Sequence, residues 1–299
     1  MSKIIDGKKI AETVNCETAQ FVSEMKKKHD LKPGLVVIIV GDDPASHVYV
    51  KMKIKACEKV GVHSICNRLP KETTQEELLA MIAELNNDPT IHGILVQSPP
   101  PKHIDEATII AAINPKKDVD CFHVENVGKM LTGDSSGFLP CTPHGVMQLL
   151  RRSGVDPEGK HVVIVGRSNI VGKPMMSLLV QKAAGANATV TVCHSRTPNI
   201  SEFTQKADIL IAAIGKPEFI KGDMVKEGAV VMDVGVNRIE DSSKKSGYRL
   251  VGDVAFDEVV DKVAKITPVP GGVGPMTIAM LMHNTVKACC LINNIPTPK

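Results

Sequence analysis

The residues best placed for chemistry early in the chain are Tyr49 and Lys53. They lie four positions apart in a segment whose pattern predicts a helix from an N-cap at Ser46 to a stop at Gly61. Side chains at that spacing share one helix face, with Cβ atoms about 6 Å apart, so one ligand can touch both. A surface lysine next to a half-buried tyrosine without any chemical role produces the same pattern, so the pair alone does not define a site.

Further polar candidates lie near the end of an apolar run over residues 91–97, which predicts a strand. Gln97 ends this run, directly before three prolines. Ligands of α/β sheets usually bind beyond the carboxyl ends of strands, which makes Gln97 a candidate contact. Asp118 and Asp120 follow in a polar loop. We assign Asp118 to local capping or pairing and keep Asp120 as a candidate site residue.

A strand–turn–helix pattern over residues 165–174 contains small residues at Gly166, Ser168 and Gly172. Such residues let backbone N–H groups approach a pyrophosphate, and the positive end of the following helix favours the anion. The segment is not the standard dinucleotide fingerprint, because Ser168 replaces the second glycine and the last glycine comes later. A tight turn without a ligand is the alternative for this segment taken alone.

The end of the next predicted strand bears on the choice of cofactor. An NAD-binding fold usually places an Asp or Glu there, but residues 193–197 contain no carboxylate. Arg167, Ser195 and Arg196 can instead hold a 2′-phosphate through charge-assisted hydrogen bonds. The sequence therefore predicts NADP rather than NAD, although a solvated surface charge is an equal alternative for Arg196 alone.

The most distinctive segment is residues 267–277, with three glycines and three prolines. It forms either a rigid path, poor in side chains, against which a flat ligand can lie, or a plain hinge loop.

These candidates are separated by apolar runs of strand length that alternate with helical patterns, which is typical of an α/β protein with mostly parallel sheets. Thr74 and Glu77 form a capping box that predicts a helix start. Other predicted elements are strands at residues 35–40, 161–165, 189–193, 209–214 and 230–234 and a last helix at about residues 276–291.

Composition excludes several classes of protein. The chain has 299 residues, a net charge of +3, 43% hydrophobic and 23% charged residues, which fits about two globular domains and no disordered or disulfide-stapled class. Aromatic residues make up only 3%, too few for the stacking platforms of single-stranded nucleic-acid binders, so we expect no nucleic-acid partner.

Metal, membrane and compartment expectations follow from the cysteines and the apolar runs. The eight cysteines show no CxxC spacing and the ten histidines no HExxH, so we expect no zinc site. The chain has no signal-peptide-like start and no apolar run long enough to cross a bilayer. With eight thiols expected to be free, we predict a cytoplasmic protein, or one in an organelle if a presequence has already been removed, without a membrane partner.

Together, the motifs resemble the bifunctional methylenetetrahydrofolate dehydrogenase/methenyltetrahydrofolate cyclohydrolase family over essentially the whole chain. The resemblance rests on the segments Ser46-x-x-Tyr49-x-x-x-Lys53-x-Lys55, the run 93–97, Lys117-Asp118-Val119-Asp120, Pro140-Cys141-Thr142-Pro143, the turn 166–174 and the loop 270–277. One departure is Cys121, where the family usually has glycine. If that glycine serves a positive-φ turn, Cys121 strains the loop that carries Asp120.

The resemblance implies a fold and a reaction. It implies an N-terminal α/β folate-binding catalytic domain of residues 1–141 and 276–299 and a Rossmann-like, doubly wound NADP-binding domain of residues 142–275, with a cleft between them. A hydride leaves 5,10-methylenetetrahydrofolate for NADP, and water then opens the methenyl product to 10-formyltetrahydrofolate. The nicotinamide and the Lys53 amine must therefore meet at one carbon atom. The family also usually forms homodimers through its nucleotide domains.

The resemblance also implies residue roles. Lys53 relays a proton during hydration, Gln97 orients the Lys53 amine, Tyr49 stacks on the ligand, and Asp120 accepts hydrogen bonds from the pterin. The implied substrate contacts are Tyr49, Lys53, Val96, Gln97, Asp120, Pro270, Gly271 and Gly274. The implied cofactor contacts are Gly166, Arg167, Ser168, Ser195 and Val236.

Two other functions remain as alternatives. One is a monofunctional methylenetetrahydrofolate dehydrogenase, against which the presence of both Lys53 and Gln97 argues. The other is a non-catalytic NADP-binding module, for which Cys121 is the one supporting feature.

Overall fold

A computed structural model describes residues 3–42, 44–244 and 247–298, without the side chains of residues 44–48. Contacts divide the chain into two units. We call residues 12–141 and 278–298 the three-strand unit, and residues 3–11 and 142–277 the five-strand unit, after their parallel sheets. The chain passes from one unit to the other within three helices, α1 (Gly7–His29), α6 (Cys141–Arg152) and α10 (Val273–Ile292).

The three-strand unit is built on a parallel sheet in the order β2-β1-β3. Its strands are β1 (Gly34–Val40), β2 (His63–Leu69) and β3 (Gly93–Val96), and its other helices are α2 (Pro44–Val60), α3 (Gln75–Asn87), α4 (Glu106–Ala112) and α5 (Val124–Thr132). Every residue of β1 is buried, as expected for a central strand of a sheet covered on both faces.

Local signals set the ends of these elements. The predicted capping box is present, because the Thr74 hydroxyl accepts from the Glu77 N–H while the Glu77 carboxylate accepts from the Thr74 N–H. Helix α2 begins at Pro44, two residues before the expected N-cap Ser46, whose side chain lies outside the described part. It ends at Val60, before Gly61 with φ of +82°. Strand β3 ends at Val96, which leaves Gln97 just beyond it.

The five-strand unit contains a parallel sheet in the order β10-β7-β6-β4-β5. Its strands are β4 (His161–Val165), β5 (Thr189–Cys193), β6 (Ile209–Ala212), β7 (Val230–Asp233) and β10 (Lys265–Ile266), with an antiparallel hairpin of β8 (Asn237–Glu240) and β9 (Tyr248–Val251). Its remaining helices are α7 (Gly172–Leu179), α8 (Ile200–Thr204), α9 (Phe256–Val259) and the 3₁₀ helix Gly222–Met224.

The strand order of this unit contains a reversal at β4. From β4 the chain builds β5 on one side and then crosses to build β6 on the other. Such a topological switch point opens a crevice at the carboxyl ends of the two strands, where doubly wound sheets bind nucleotides. The α/β fold with a Rossmann-like sheet is therefore confirmed. No helix in the described ranges is long and apolar enough to cross a membrane.

The first described residues of the chain group with the five-strand unit, whereas we expected them in a domain of residues 1–141. Ile4 forms a parallel bridge with Ile266, and the Ile5 N–H donates to the Ile266 carbonyl. The segment around Ile4 therefore extends the β10 edge of the five-strand sheet, and α1 begins three residues later. At the other end of the chain, α10 begins at Val273 and not near residue 276, so Gly274 lies in the first turn of a helix and not in a loop.

Candidate active site

A hydrogen bond joins two of the expected site residues of the three-strand unit. The half-buried Lys53 of α2 donates from Nζ to Gln97 Oε1 over 3.1 Å. Gln97 is itself held by the main chain, because its Nε2 donates to the Ser98 carbonyl at 2.9 Å and its N–H to the Ile38 carbonyl at 2.8 Å. The backbone thus fixes the amide, and the amide fixes the direction of the amine.

The other expected substrate contacts of this unit lie nearby in the fold. Tyr49 precedes Lys53 by one helical turn, and 39% of it is exposed, so its ring is available to a ligand. Val96 and Asp120 line one small, mostly apolar cavity together with Ser98, Pro100 and Phe122. The acidic residues Glu106 and Asp118 also line this cavity, so Asp120 is one of three carboxylates at a mostly apolar wall.

Asp118 has the local role that we expected from the sequence. Its buried carboxylate accepts from the N–H groups of Phe122 and His123 at 3.1 and 2.9 Å and from Asn126 Nδ2 at 2.8 Å. Burial raises the pKa of Asp118, and these hydrogen bonds oppose the rise. The carboxylate of Asp118 therefore shapes the loop that carries Asp120.

Cys121 occupies a glycine-type backbone position. Its φ is +61°, which L residues adopt at a cost. Its side chain is fully buried, and the thiol donates to the Phe138 carbonyl at 3.1 Å. The loop that carries Asp120 therefore makes a positive-φ turn with a cysteine in place of glycine.

Sequence reasoning assigned no role to Asn284 and Cys141, which hold the same loop. Asn284 of α10 donates from Nδ2 to the carbonyls of Val119 and Leu139 at 2.7 and 2.9 Å, and the Cys141 thiol donates to the Val119 carbonyl at 3.4 Å. Asn284 is the kind of lone amide within an apolar helix that must find a polar partner, and this signal was available.

The surroundings of Cys141 also show that two site residues are close. Burial and the neighbouring Asp120 carboxylate raise the pKa of the Cys141 thiol, and the Lys53 ammonium opposes the rise. A carboxylate and an amine therefore both face this buried thiol, which places Asp120 and Lys53 in one neighbourhood.

In the five-strand unit, the turn after β4 has a backbone that only glycine permits. Gly166 has φ of +145°, and a Cβ there would overlap the Ala213 carbonyl oxygen. A Cβ on Gly172 would overlap the Gly166 carbonyl oxygen. The Ser168 hydroxyl oxygen accepts from the Val171 N–H at 3.0 Å, which leaves its hydrogen for an anion. Gly166, Arg167 and Ser168 thus lie at the switch point of the sheet.

The segment after β5 presents donors and no carboxylate. Ser195 and Arg196 are exposed, and the Arg196 N–H donates to His194 Nδ1 at 3.2 Å. Val236, beyond β7, is also exposed. These residues and the glycine turn fit a dinucleotide that carries a 2′-phosphate.

The loop over residues 268–272 packs tightly against the start of α1, also in the five-strand unit. A Cβ on Gly7 would overlap the Gly272 carbonyl oxygen, and the Lys8 N–H donates to the Gly271 carbonyl at 3.1 Å. Pro270 and Gly271 lie in this loop, and Gly271 has φ of +105°.

Two family models match the chain. The model for the tetrahydrofolate dehydrogenase/cyclohydrolase catalytic domain matches residues 5–120, and the model for the NAD(P)-binding domain of the same enzymes matches residues 140–292. The chain belongs to the tetrahydrofolate dehydrogenase/cyclohydrolase family. The resemblance seen in its motifs is therefore confirmed, and the glycine turn after β4 lies in the NAD(P)-binding domain.

Individual relatives agree with the family. The chain is 57% identical over 293 residues to the bifunctional protein FolD of Chlorobium chlorochromatii, covering 98% of this chain and 99% of the relative. It is similar to the crystal structure of a bifunctional methylenetetrahydrofolate dehydrogenase/cyclohydrolase from Campylobacter jejuni, with a TM-score of 0.90, 50% identity and coverage of 96% and 98%. It is also similar to the Trypanosoma brucei methylenetetrahydrofolate dehydrogenase-cyclohydrolase, whose crystal structure is a complex with NADP and an inhibitor. The TM-score is 0.91 and the identity 40%, and the match covers 97% of each chain.

Proposed function

We propose that this chain oxidises 5,10-methylenetetrahydrofolate to 5,10-methenyltetrahydrofolate with NADP and then hydrolyses the product to 10-formyltetrahydrofolate. The observation that carries the second activity is the 3.1 Å hydrogen bond between Lys53 and Gln97. An amine held by a fixed amide is positioned to move a proton, which hydration of a methenyl carbon needs and hydride departure does not.

The residues of the three-strand unit bind the folate and transfer the proton. Tyr49 stacks on the ligand, and Val96 supplies an apolar contact. Asp120 accepts hydrogen bonds from the aminopyrimidinone edge of the pterin. Lys53 exchanges a proton with the attacking water, and Gln97 holds the amine in line. Pro270, Gly271 and Gly274 belong to the five-strand unit, and we assign them to the flank of the folate.

The residues of the five-strand unit hold the cofactor, which accepts the hydride when bound. We assign the pyrophosphate to Gly166 and Ser168, where the backbone is free of side chains. Arg167 and Ser195 hold the 2′-phosphate, and Val236 contacts the cofactor near β7. The lack of a carboxylate at residues 193–197 supports NADP over NAD.

A coupled assay tests this proposal. The pure chain is incubated with methylenetetrahydrofolate and either NADP or NAD, and reduced cofactor, methenyl and 10-formyl products are followed together, with an enzyme-free sample for spontaneous hydrolysis. We expect all three products and a lower KM for NADP. Methenyl product that opens only at the enzyme-free rate contradicts the cyclohydrolase, and a lower KM for NAD contradicts the cofactor preference.

We also propose a cytoplasmic homodimer formed through the five-strand units. Met176 on α7, Val180 directly after α7 and Phe203 on α8 expose apolar side chains, which a partner copy would cover. In sedimentation, Val180→Asp should weaken the dimer, whereas the control Leu131→Asp, at an exposed leucine of α5, should not. A monomeric wild-type chain contradicts the proposal.

A further inference from the structure

Two buried carboxylates lie at the carboxyl edge of the five-strand sheet. Asp233 ends β7 and is 4% exposed, and Asp253 follows the β8–β9 hairpin and is fully buried. Buried carboxylates are costly, and within the described residues neither has a cationic partner. The hydrogen bonds that the two carboxylates accept must therefore compensate for the free energy of burying them.

Asp253 holds the turn after β6. Its Oδ2 accepts from the N–H groups of Ile214 and Gly215 at 2.7 and 2.8 Å. Its Oδ1 accepts from Asn237 Nδ2 at 2.9 Å, directly after residues 235–236. One carboxylate thus joins the loops that follow β6 and β7.

Asp233 holds Asp253 in turn. Its carboxylate accepts from the N–H groups of Gly235, Asp253 and Val254 at 3.0, 2.9 and 3.0 Å. Burial raises the pKa of Asp233 to about 7, and the neighbouring Asp253 adds to the rise.

The backbone around the pair is shaped to admit both carboxylates. A Cβ on Gly235 would overlap an oxygen of Asp253, and a Cβ on Gly252 would overlap an oxygen of Asp233. Both glycines therefore let the main chain run directly against a carboxyl group.

The anchored turn adjoins the glycine turn after β4. Ala213, next to Ile214, donates its N–H to the Val165 carbonyl at 2.8 Å, and its carbonyl oxygen occupies the space that a Cβ of Gly166 would need. The crevice of the switch point is therefore bounded by a turn that Asp253 fixes.

We propose that Asp233 and Asp253 are positioning residues for NADP, with Asp253 holding residues 213–215 and 235–237 in the shape that receives the cofactor. The inference rests on the proposed function for its choice of NADP. We assign neither carboxylate a part in the chemical step. Their effect is on cofactor affinity, because a preformed crevice avoids the entropy of ordering its loops on binding.

The test measures NADP and tetrahydrofolate affinities by calorimetry, KM values and thermal midpoints for full-length variants. We expect Asp253→Ala to raise the Kd for NADP about tenfold or more, since hydrogen bonds to charged acceptors are lost. Asp253→Asn, whose amide oxygen can still accept from both turn N–H groups, should recover part of that loss. The KM for methylenetetrahydrofolate should stay unchanged in both.

The matched control is Asp208→Asn, at a carboxylate that also accepts a backbone N–H, from His161 at 2.9 Å, but at the amino end of β6. We expect it to leave the Kd for NADP unchanged. If Asp253→Ala does not fold, Asp253→Asn and Asn237→Ala replace it in the test. We expect each of them to raise the Kd for NADP several-fold.

Three results would overturn the inference. The first is an unchanged Kd for NADP in the folded Asp253 variants. The second is a loss of tetrahydrofolate affinity in these variants as large as their loss of NADP affinity. The third is a rise in the Kd for NADP in Asp208→Asn as large as in the Asp253 variants. Failure of the proposed function is distinct, since it shows in the wild-type chain, which would then not turn over methylenetetrahydrofolate with NADP.

Discussion

The Nζ atom of Lys53 lies 3.1 Å from Oε1 of Gln97, although 44 positions separate the two residues. Strand β3 brings Gln97 to the end of the sheet, and α2 brings Lys53 to the same place. Because the Gln97 side chain is also tied to the Ser98 carbonyl, its oxygen has one direction in which to accept. The hydrogen bond thus gives the Lys53 amine a defined orientation.

Lys53→Met should separate the two proposed activities. Without the amine, hydrolysis of the methenyl compound should fall by about 10²- to 10⁴-fold, the usual contribution of a positioned acid or base. Some dehydrogenase activity should survive, since hydride departure needs no proton relay. The control Lys51→Met removes an exposed lysine from the same helix and should change neither rate. Full methenyl hydrolysis by Lys53→Met would remove the residue from its role.

Cys121→Gly tests whether the buried thiol outweighs backbone strain. Glycine relieves about 1 kcal/mol of strain at φ of +61°, but it loses the hydrogen bond to the Phe138 carbonyl and the buried side chain and makes the unfolded chain more flexible. We expect the free energy of unfolding to fall by about 1 kcal/mol in urea titrations.

The matched control for that substitution is Asn294→Gly, at an exposed residue with φ of +55° after α10. With no buried side chain to lose, this variant should be neutral or slightly stabilised. A more stable Cys121→Gly protein would mean that strain dominates at the Asp120 loop.

Gly7→Ala should destabilise the five-strand unit. The new Cβ would overlap the Gly272 carbonyl oxygen, so the start of α1 and the loop over residues 268–272 would have to separate. Overpacking of this kind costs about 1–3 kcal/mol. Gly128→Ala is the control, because its Cβ would meet open space on α5, and it should stabilise by up to about 1 kcal/mol. Equal thermal midpoints for the two variants would contradict the close approach.

The sequence predicted the elements better than their boundaries. Residues 161–165 and 189–193 form strands over the predicted ranges, because both are runs rich in β-branched residues with clear turns on either side. The start of α10 was placed three residues late, since Gly274 and Pro275 indicate a loop but are also compatible with a first helical turn.

Contacts distant in sequence were harder to predict. The packing of Gly7 on Gly272 and the anchoring of Val119 by Asn284 join residues that lie far apart in the chain, and neither has a local pattern. The Asp233–Asp253 pair is similar, because each residue alone looks like an ordinary loop carboxylate. Only the folded backbone shows that five backbone N–H groups converge on the two carboxyl groups.

His92 should make the protein less stable in mild acid. Its buried ring accepts the Gly34 N–H at Nδ1 over 3.0 Å, which requires an unprotonated nitrogen. Burial, and then the nearby Lys117 ammonium, lower the pKa of His92 from 6.5 to about 4. A depressed pKa in the folded state means that the stabilisation is complete above about pH 6.5 and is lost as pH falls towards about 4, by at most about 3 kcal/mol.

His92→Asn isolates this contribution, because the asparagine oxygen takes the place of Nδ1 and does not titrate. His283, whose pKa burial also lowers to about 4, adds acid sensitivity in both proteins, whereas Asp233, with a pKa raised to about 7, opposes it in both. The difference between wild type and variant therefore reports His92 alone. Urea titrations at pH 7 and pH 4.5 should show a smaller loss of unfolding free energy for the variant, and equal losses would mean that His92 stays unprotonated throughout or titrates normally.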